Sequence, residues 1–315
     1  MRCPSRPAAL LAALALVAAG ALSACGSGAE TVGGADGGPV VVATTTQVGD
    51  LVRAVAGDRA GVRQILSANS DPHAYEPRPS DVKAVAGAKV VVRSGGDLDD
   101  WLGGVLDNAG SAATTIDLIA AMRTRRGDGE VDPHWWQDPH DAEIAVGRIR
   151  DALTAADPGG RAAYAASAAA YVAQLRALDR AIARCIAAIP RERRRLVTDH
   201  DALGYYAARY DIEVIGTVIP ALSTQAQASA GEVARLVRTI RRTGVTTIFS
   251  ESSTNPKLAK AIARDAGAAL GPALYADSLG PAGSAGATYI GSLRFNTLAL
   301  AAGFTGRRSN CVLPR

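Results

Sequence analysis

Histidine, cysteine and the aromatic residues are all scarce in this chain of 315 residues, which holds 4 His, 4 Cys and only 4% Phe, Trp and Tyr together. With 48% hydrophobic residues and so few rings, the core must be built mainly from Ala, Val, Leu and Ile. Neither Cys185 nor Cys311 stands in a metal-binding cysteine spacing, so no thiolate site is signalled. Strong charge is missing too: the net charge is +4 and the basic residues are scattered. The one basic cluster, Arg191-Glu192-Arg193-Arg194-Arg195, has no interleaved aromatics of the kind that stack bases. It reads as a solvated loop, and no nucleic-acid partner is expected. The excess of Arg over Lys, with abundant Ala and Gly, reflects genome composition rather than chemistry.

No apolar run is long enough for a comfortable membrane span. The longest, Ala8 to Ala21, follows Arg2 and Arg6 and ends in Leu22-Ser23-Ala24-Cys25. That pattern is a secretory signal, and its end resembles the lipobox of bacterial lipoproteins. The resemblance implies cleavage before Cys25 and a lipid on its sulfur, hence a membrane-anchored protein on the extracytoplasmic face. Residues 1–24 are then signal peptide, and 25–39, rich in Gly and Ala, a flexible tether. In such an oxidising compartment a Cys185–Cys311 disulfide can persist, although sequence alone leaves their pairing open.

From residue 40 onward, β-rich runs alternate with helical segments, the pattern of parallel sheets flanked by helices. Strands are expected at Val40–Ala43, Val62–Leu66, Lys89–Arg93 and Thr114–Leu118, then at Leu196–Thr198, Val214–Val218, Val245–Phe249 and Ala273–Tyr275. Between the two sets, Leu175, Leu178, Ile182 and Ile186 recur at helical spacing in an Ala-rich stretch bounded by Pro158 and Pro190. The expected fold is therefore α/β with two lobes, 40–157 and 191–315, each a roughly four-stranded mainly parallel sheet. One long backbone helix within 158–190 joins them, spanning roughly 42 Å. No sequence repeat relates the lobes.

Three of the four histidines share a setting. His73 lies in Asp71-Pro72-His73-Ala74-Tyr75-Glu76-Pro77, His134 in Asp132-Pro133-His134-Trp135-Trp136, and His200 in Thr198-Asp199-His200-Asp201. Each comes after an expected strand, where open parallel sheets bind ligands. Asp277 follows the last strand in the same way. Two candidates thus come from each half, and they meet if the strand ends face one another. Imidazoles with one carboxylate form a metal site. Asp71, Asp132 and Asp199 could orient the rings or cap helices. Glu251 reads as an acceptor behind the ligands, or less readily a fifth oxygen. Glu76 is a second candidate for such a supporting position. His140 reads as a bystander, and Trp135 and Trp136 as cleft wall or core.

These segments closely resemble the metal-binding lipoproteins of bacterial ABC importers for zinc and manganese. The stretches at 71–77, 132–139 and 198–205 are like that family's signatures, in order, across the whole mature chain. The resemblance implies ligands His73, His134, His200 and Asp277, two lobes joined by a long backbone helix, a permease as partner, a monomer and no enzymatic activity; a rigid helix of that kind predicts modest lobe movement rather than wide closure. Two departures bear on the metal. The loop Arg123–Val131 is short and lacks the histidines common in zinc members, and His200 stands where manganese members often carry a carboxylate. Three imidazoles favour Zn(2+) over Mn(2+). Rivals of another class are a zinc hydrolase, with Glu251 as base, and a metal-binding lipoprotein serving cell adhesion.

Overall fold

Residues 37–127, 129–306 and 311–314 are described in a computed structural model. The signal segment, Cys25 and the tether as far as residue 36 lie outside them. Among the described residues no helix is long and apolar enough to cross a membrane.

The first half alternates strand and helix throughout. It runs β1 (Val40–Ala43), α1 (Thr46–Ala56), β2 (Gly61–Gln64), α2 (Pro79–Ala86), β3 (Val90–Arg93), α3 (Leu102–Ala109) and β4 (Thr114–Asp117). All neighbours pair in parallel, in the order β2-β1-β3-β4. The central strands β1 and β3 are almost unbroken valine, fully buried on both faces, as helix-covered parallel strands require. A two-residue hairpin, β5 (Arg126–Gly127) with β6 (Glu130–Val131), precedes α4 (Pro139–Ala156).

The connecting helix α5 covers Arg161–Ala187, 27 residues, or about 40 Å at 1.5 Å per residue. It buries Tyr164, Ala168, Leu175, Leu178, Ile182 and Ile186 along one stripe, against α4, α1 and a later helix of the second half. One apolar core therefore runs from Val41 through α5 to Phe304, and each fully buried leucine in it contributes roughly 1.5–3 kcal/mol. Cys185, near the end of α5, is joined to Cys311 by a disulfide.

The second half contains β7 (Arg195–Thr198), α6 (Gly204–Arg209), β8 (Glu213–Thr217), α7 (Ala230–Thr243), β9 (Thr247–Ile248), α8 (Lys257–Ala266), β10 (Ala269–Leu270) and α9 (Tyr289–Thr305). Strand β7 pairs with β8 and β9 with β10, both in parallel. The Phe249 N–H donates to the Val197 carbonyl at 3.0 Å, which places β9 beside β7. The expected last strand at Ala273–Tyr275 is corrected: the strand lies earlier, at Ala269–Leu270, and only a single parallel bridge joins Leu274 to Glu251. Pro272 has no N–H to give a ladder, so regular pairing stops there and the chain leaves the sheet just before Asp277. Helix α7 begins with a reciprocal cap between Ser229 and Glu232 and ends at Gly244, whose φ of 70° is left-handed.

The disulfide closes a long loop, so replacing both Cys185 and Cys311 by Ser should lower unfolding free energy by about 2–4 kcal/mol. Urea denaturation measures this, and an unchanged midpoint would count against a role for the bond in stability.

Candidate metal centre

His73 sits in a 3-10 turn, Pro72–Ala74, beyond β2. Asp71 caps that turn, its Oδ1 accepting the His73 N–H at 3.0 Å, while its Oδ2 accepts from Thr224 of the second half at 2.7 Å. His134 immediately precedes a second 3-10 turn, Trp135–Gln137. Its ring Nδ1 lies 2.8 Å from Asp132 Oδ1. His200 follows β7, with ring Nδ1 2.6 Å from Glu251 Oε1. An ionised carboxylate only accepts, so each Nδ1 donates and each Nε2 faces inward. Of the open alternatives, Asp132 orients a ring and Asp71 caps a turn. Asp199 does neither with its side chain but accepts from Thr254 at 2.6 Å.

The three Nε2 atoms and the Asp277 carboxylate converge, with one donor atom from each residue lying within 4.8 Å of every other. Asp277 Oδ2 is 3.1 Å from His200 Nε2 and 3.3 Å from His73 Nε2, and Oδ1 is 3.4 Å from His134 Nε2. His200 Nε2 and His134 Nε2 are 3.3 Å apart. A tetrahedron with bonds of about 2.0–2.1 Å has edges of about 3.3 Å, and these four separations, two of them from His73 and His200 to the same Asp277 oxygen, are of that size. His134, His200 and Asp277 are buried. His73 Nε2 and both Asp277 oxygens are buried without a hydrogen-bond partner. Such orphaned atoms cost about 1–3 kcal/mol each and more when charged, a cost that a cation at the centre removes.

Glu251 stands behind His200 rather than at the centre. Trp136 packs edge-on against His134 with ring centroids 5.3 Å apart, and Trp135 is core, its indole N–H bonded to Ser94. Glu76 is exposed and is not one of the converging groups. His140 stands outside as well, at the start of α4, with a side chain 59% exposed. Sequence reasoning missed Gln47, which is buried at the start of α1. Its spacing from Leu51 and Val55 puts a polar residue on the core face of that helix, and this was a readable signal.

Two α/β lobes on a helical spine, with an enclosed three-histidine, one-aspartate cluster between them, define a two-lobed solute-binding protein with a metal-type site. The family model described as zinc-uptake complex component A, periplasmic (ZnuA), matches residues 41–303, and the chain belongs to that family. The manganese-binding lipoprotein MntA of Halalkalibacterium halodurans is 31% identical over 281 residues, 88% of this chain and 92% of that protein. The zinc-binding protein TroA of Treponema pallidum is 31% identical over 272 residues, 83% of this chain and 87% of that one. The solved structure of the T. pallidum periplasmic zinc-binding protein superposes with a TM-score of 0.81 at 27% identity, covering 85% of this chain and 99% of its own. The family is one of solute-binding receptors, not of enzymes.

Burial opposes charge on His200, but the carboxylates of Glu251 and Asp277 outweigh it and hold its pKa well above the ordinary imidazole value. Burial likewise opposes charge on Asp277, and His200 and His134 outweigh it, holding that carboxyl well below the usual range. In the metal-free protein the His200 contribution to stability is thus full below about pH 6.5 and is lost as pH rises through its raised pKa. That of Asp277 is full above about pH 3.9 and is lost as pH falls through its lowered pKa. Urea unfolding of the apo protein should show stability declining on the alkaline side of neutrality, and His200→Gln should flatten that decline.

Proposed function

We propose that this protein is the extracytoplasmic receptor of a metal ABC importer, held to the membrane through a lipid on Cys25. It captures Zn(2+) as a monomer and delivers it to a membrane permease. The observation that carries the reading is the donor set: three inward-facing imidazole nitrogens and one carboxylate, with one donor atom of each within 4.8 Å of every other. The family and the relatives support a metal-import receptor, but their printed names divide between manganese, zinc and iron. The choice of zinc rests on the chemistry. Imidazole suits Zn(2+), whereas Mn(2+) favours oxygen donors and a higher coordination number. Manganese is the second reading, favoured by both Asp277 oxygens facing the centre.

A hydrolytic zinc would keep one open position and a base beside it. Here Glu251 Oε1 is committed to His200 Nδ1 on the far side of the ring, so it does not face an ion.

Titration of the apo protein by calorimetry should give one Zn(2+) per chain, with Mn(2+) unable to displace it at equal concentration. His134→Ala and His200→Ala should each weaken zinc binding by at least about a hundredfold, in keeping with removal of one of four ligands. Unchanged affinity in both variants would sink the site, and preferential manganese retention would transfer the proposal to that metal.

Because His200 must surrender its proton to the ion, affinity should fall in acid, by about tenfold per pH unit for each proton displaced. Calorimetry in buffers of different ionisation enthalpy counts those protons, and a count of zero near neutral pH would contradict the raised His200 pKa.

A further inference from the structure

Asp277 is the one carboxylate of the cluster, and the peptide stretch around it is held by the opposite half of the molecule. The Ala276 carbonyl, one residue before it, accepts from three side chains of the first half. These are Gln137 Nε2 at 2.8 Å, Trp136 Nε1 at 2.9 Å and Gln47 Nε2 at 3.3 Å. A carbonyl oxygen has two lone pairs, so three donors exceed what satisfying it requires. Two residues beyond Asp277, the Leu279 N–H donates to Thr46 Oγ1 at 2.8 Å, and the Leu279 carbonyl accepts from the Asn69 N–H at 3.1 Å. Thr46 Oγ1 in turn donates to Gln47 Oε1 at 2.9 Å. The first two residues of α1 therefore hold both ends of the stretch that carries the ligand.

Apart from the Ser278 hydroxyl, which donates to the Leu279 carbonyl, and the His200–Asp277 contact, the hydrogen bonds that its own half makes to this chain fall just outside the stretch. Asn296 bonds both the N–H and the carbonyl of Tyr275, and the Gly280 N–H bonds the Gly286 carbonyl. Thr46, Gln47, Trp136, Gln137, Ala276 and Leu279 are all buried. Packing alone gives no reason to bury two glutamines and an indole N–H around a single acceptor. Their common target lies one peptide from the only negatively charged group of the cluster.

We propose that Gln47, Trp136 and Gln137 are positioning residues for cation release. They clamp Asp277 to the first half, and the clamp sets how fast the bound ion leaves. The inference rests on the reading that the cluster binds a divalent cation. Its physical basis is that Asp277 supplies the only full negative charge opposite the ion. In a buried site that attraction is strong and falls with distance, so a small displacement of the loop weakens the bond that most opposes departure.

The test uses the full mature protein with Trp136→Phe and Gln137→Met, which remove N–H donors while keeping bulk. Zinc release to an excess of chelator is followed by stopped flow. The visible spectrum of the Co(2+)-loaded protein reports the ligand field. Release should accelerate by about 10–100-fold, the usual scale for removing a partner that orients a ligand, and the cobalt bands should shift. In an Asp277→Ala background, Gln137→Met should change zinc affinity no further. Should Trp136→Phe fail to fold by circular dichroism, Gln47→Met reads the same clamp from α1.

Wild-type release rates in these variants overturn the clamp. So does faster release that leaves the cobalt spectrum unmoved, or that persists undiminished without Asp277. A wild-type protein that binds neither Zn(2+) nor Co(2+) overturns the functional reading and the clamp together, whereas binding with unaltered release overturns the clamp alone.

Discussion

Asp277 carries a negative charge into an enclosed space, and much of the surrounding architecture answers that charge. Its two oxygens face the three imidazole Nε2 atoms at 3.1, 3.3 and 3.4 Å, and an uncompensated buried carboxylate is among the most costly groups a protein can hold. Compensation comes from positive charge in the middle of three imidazoles. In the metal-free protein a proton on His200 supplies it, and under the proposed function the ion would take that proton's place. Asp132 and Glu251 keep the inward nitrogens of His134 and His200 aimed at the same point.

The fold brings these groups together by a simple device. Parallel strands place all their carboxyl ends on one edge, so loops after β2 and β7 present His73 and His200 from two separate sheets. The spine α5 contributes to one shared core with both halves, which resists their separation. Further contacts cross between the halves beside the site. Asp71 meets Thr224, and Tyr205 of α6 donates to the Asp132 carbonyl while accepting from the Arg125 N–H. By chain position, two of the four converging groups come from each half. Asp277 is nonetheless fastened across the boundary, while the His200 ring is fastened by Glu251 within its own half.

Much of this was legible in the sequence, and the exceptions have physical causes. The valine runs of β1 and β3, the apolar stripe of α5 and the histidines after strand ends are local patterns with a fixed period. Asp277 was found through a last strand placed a few residues too late: the regular strand ends at Leu270, before Pro272, yet the segment after it still runs beside residues 250–252. The choice between ring orientation and capping for Asp71, Asp132 and Asp199 was not readable: Asp71 and Asp132 both accept the N–H two residues on and only the second also meets the ring, while Thr224 and Thr254 reach Asp71 and Asp199 from far along the chain. Gln137 and Trp136 meet Ala276 from some 140 positions away, and no periodicity encodes an encounter of that kind.

The link between residues 185 and 311 has a bearing on assembly. It cannot close until residue 311 has emerged, by which time both sheets, the spine and all four converging side chains are already present. The bond acts as a late seal: it selects chains whose final segment has found the end of α5, and it leaves the order in which earlier parts collapse to their own local preferences.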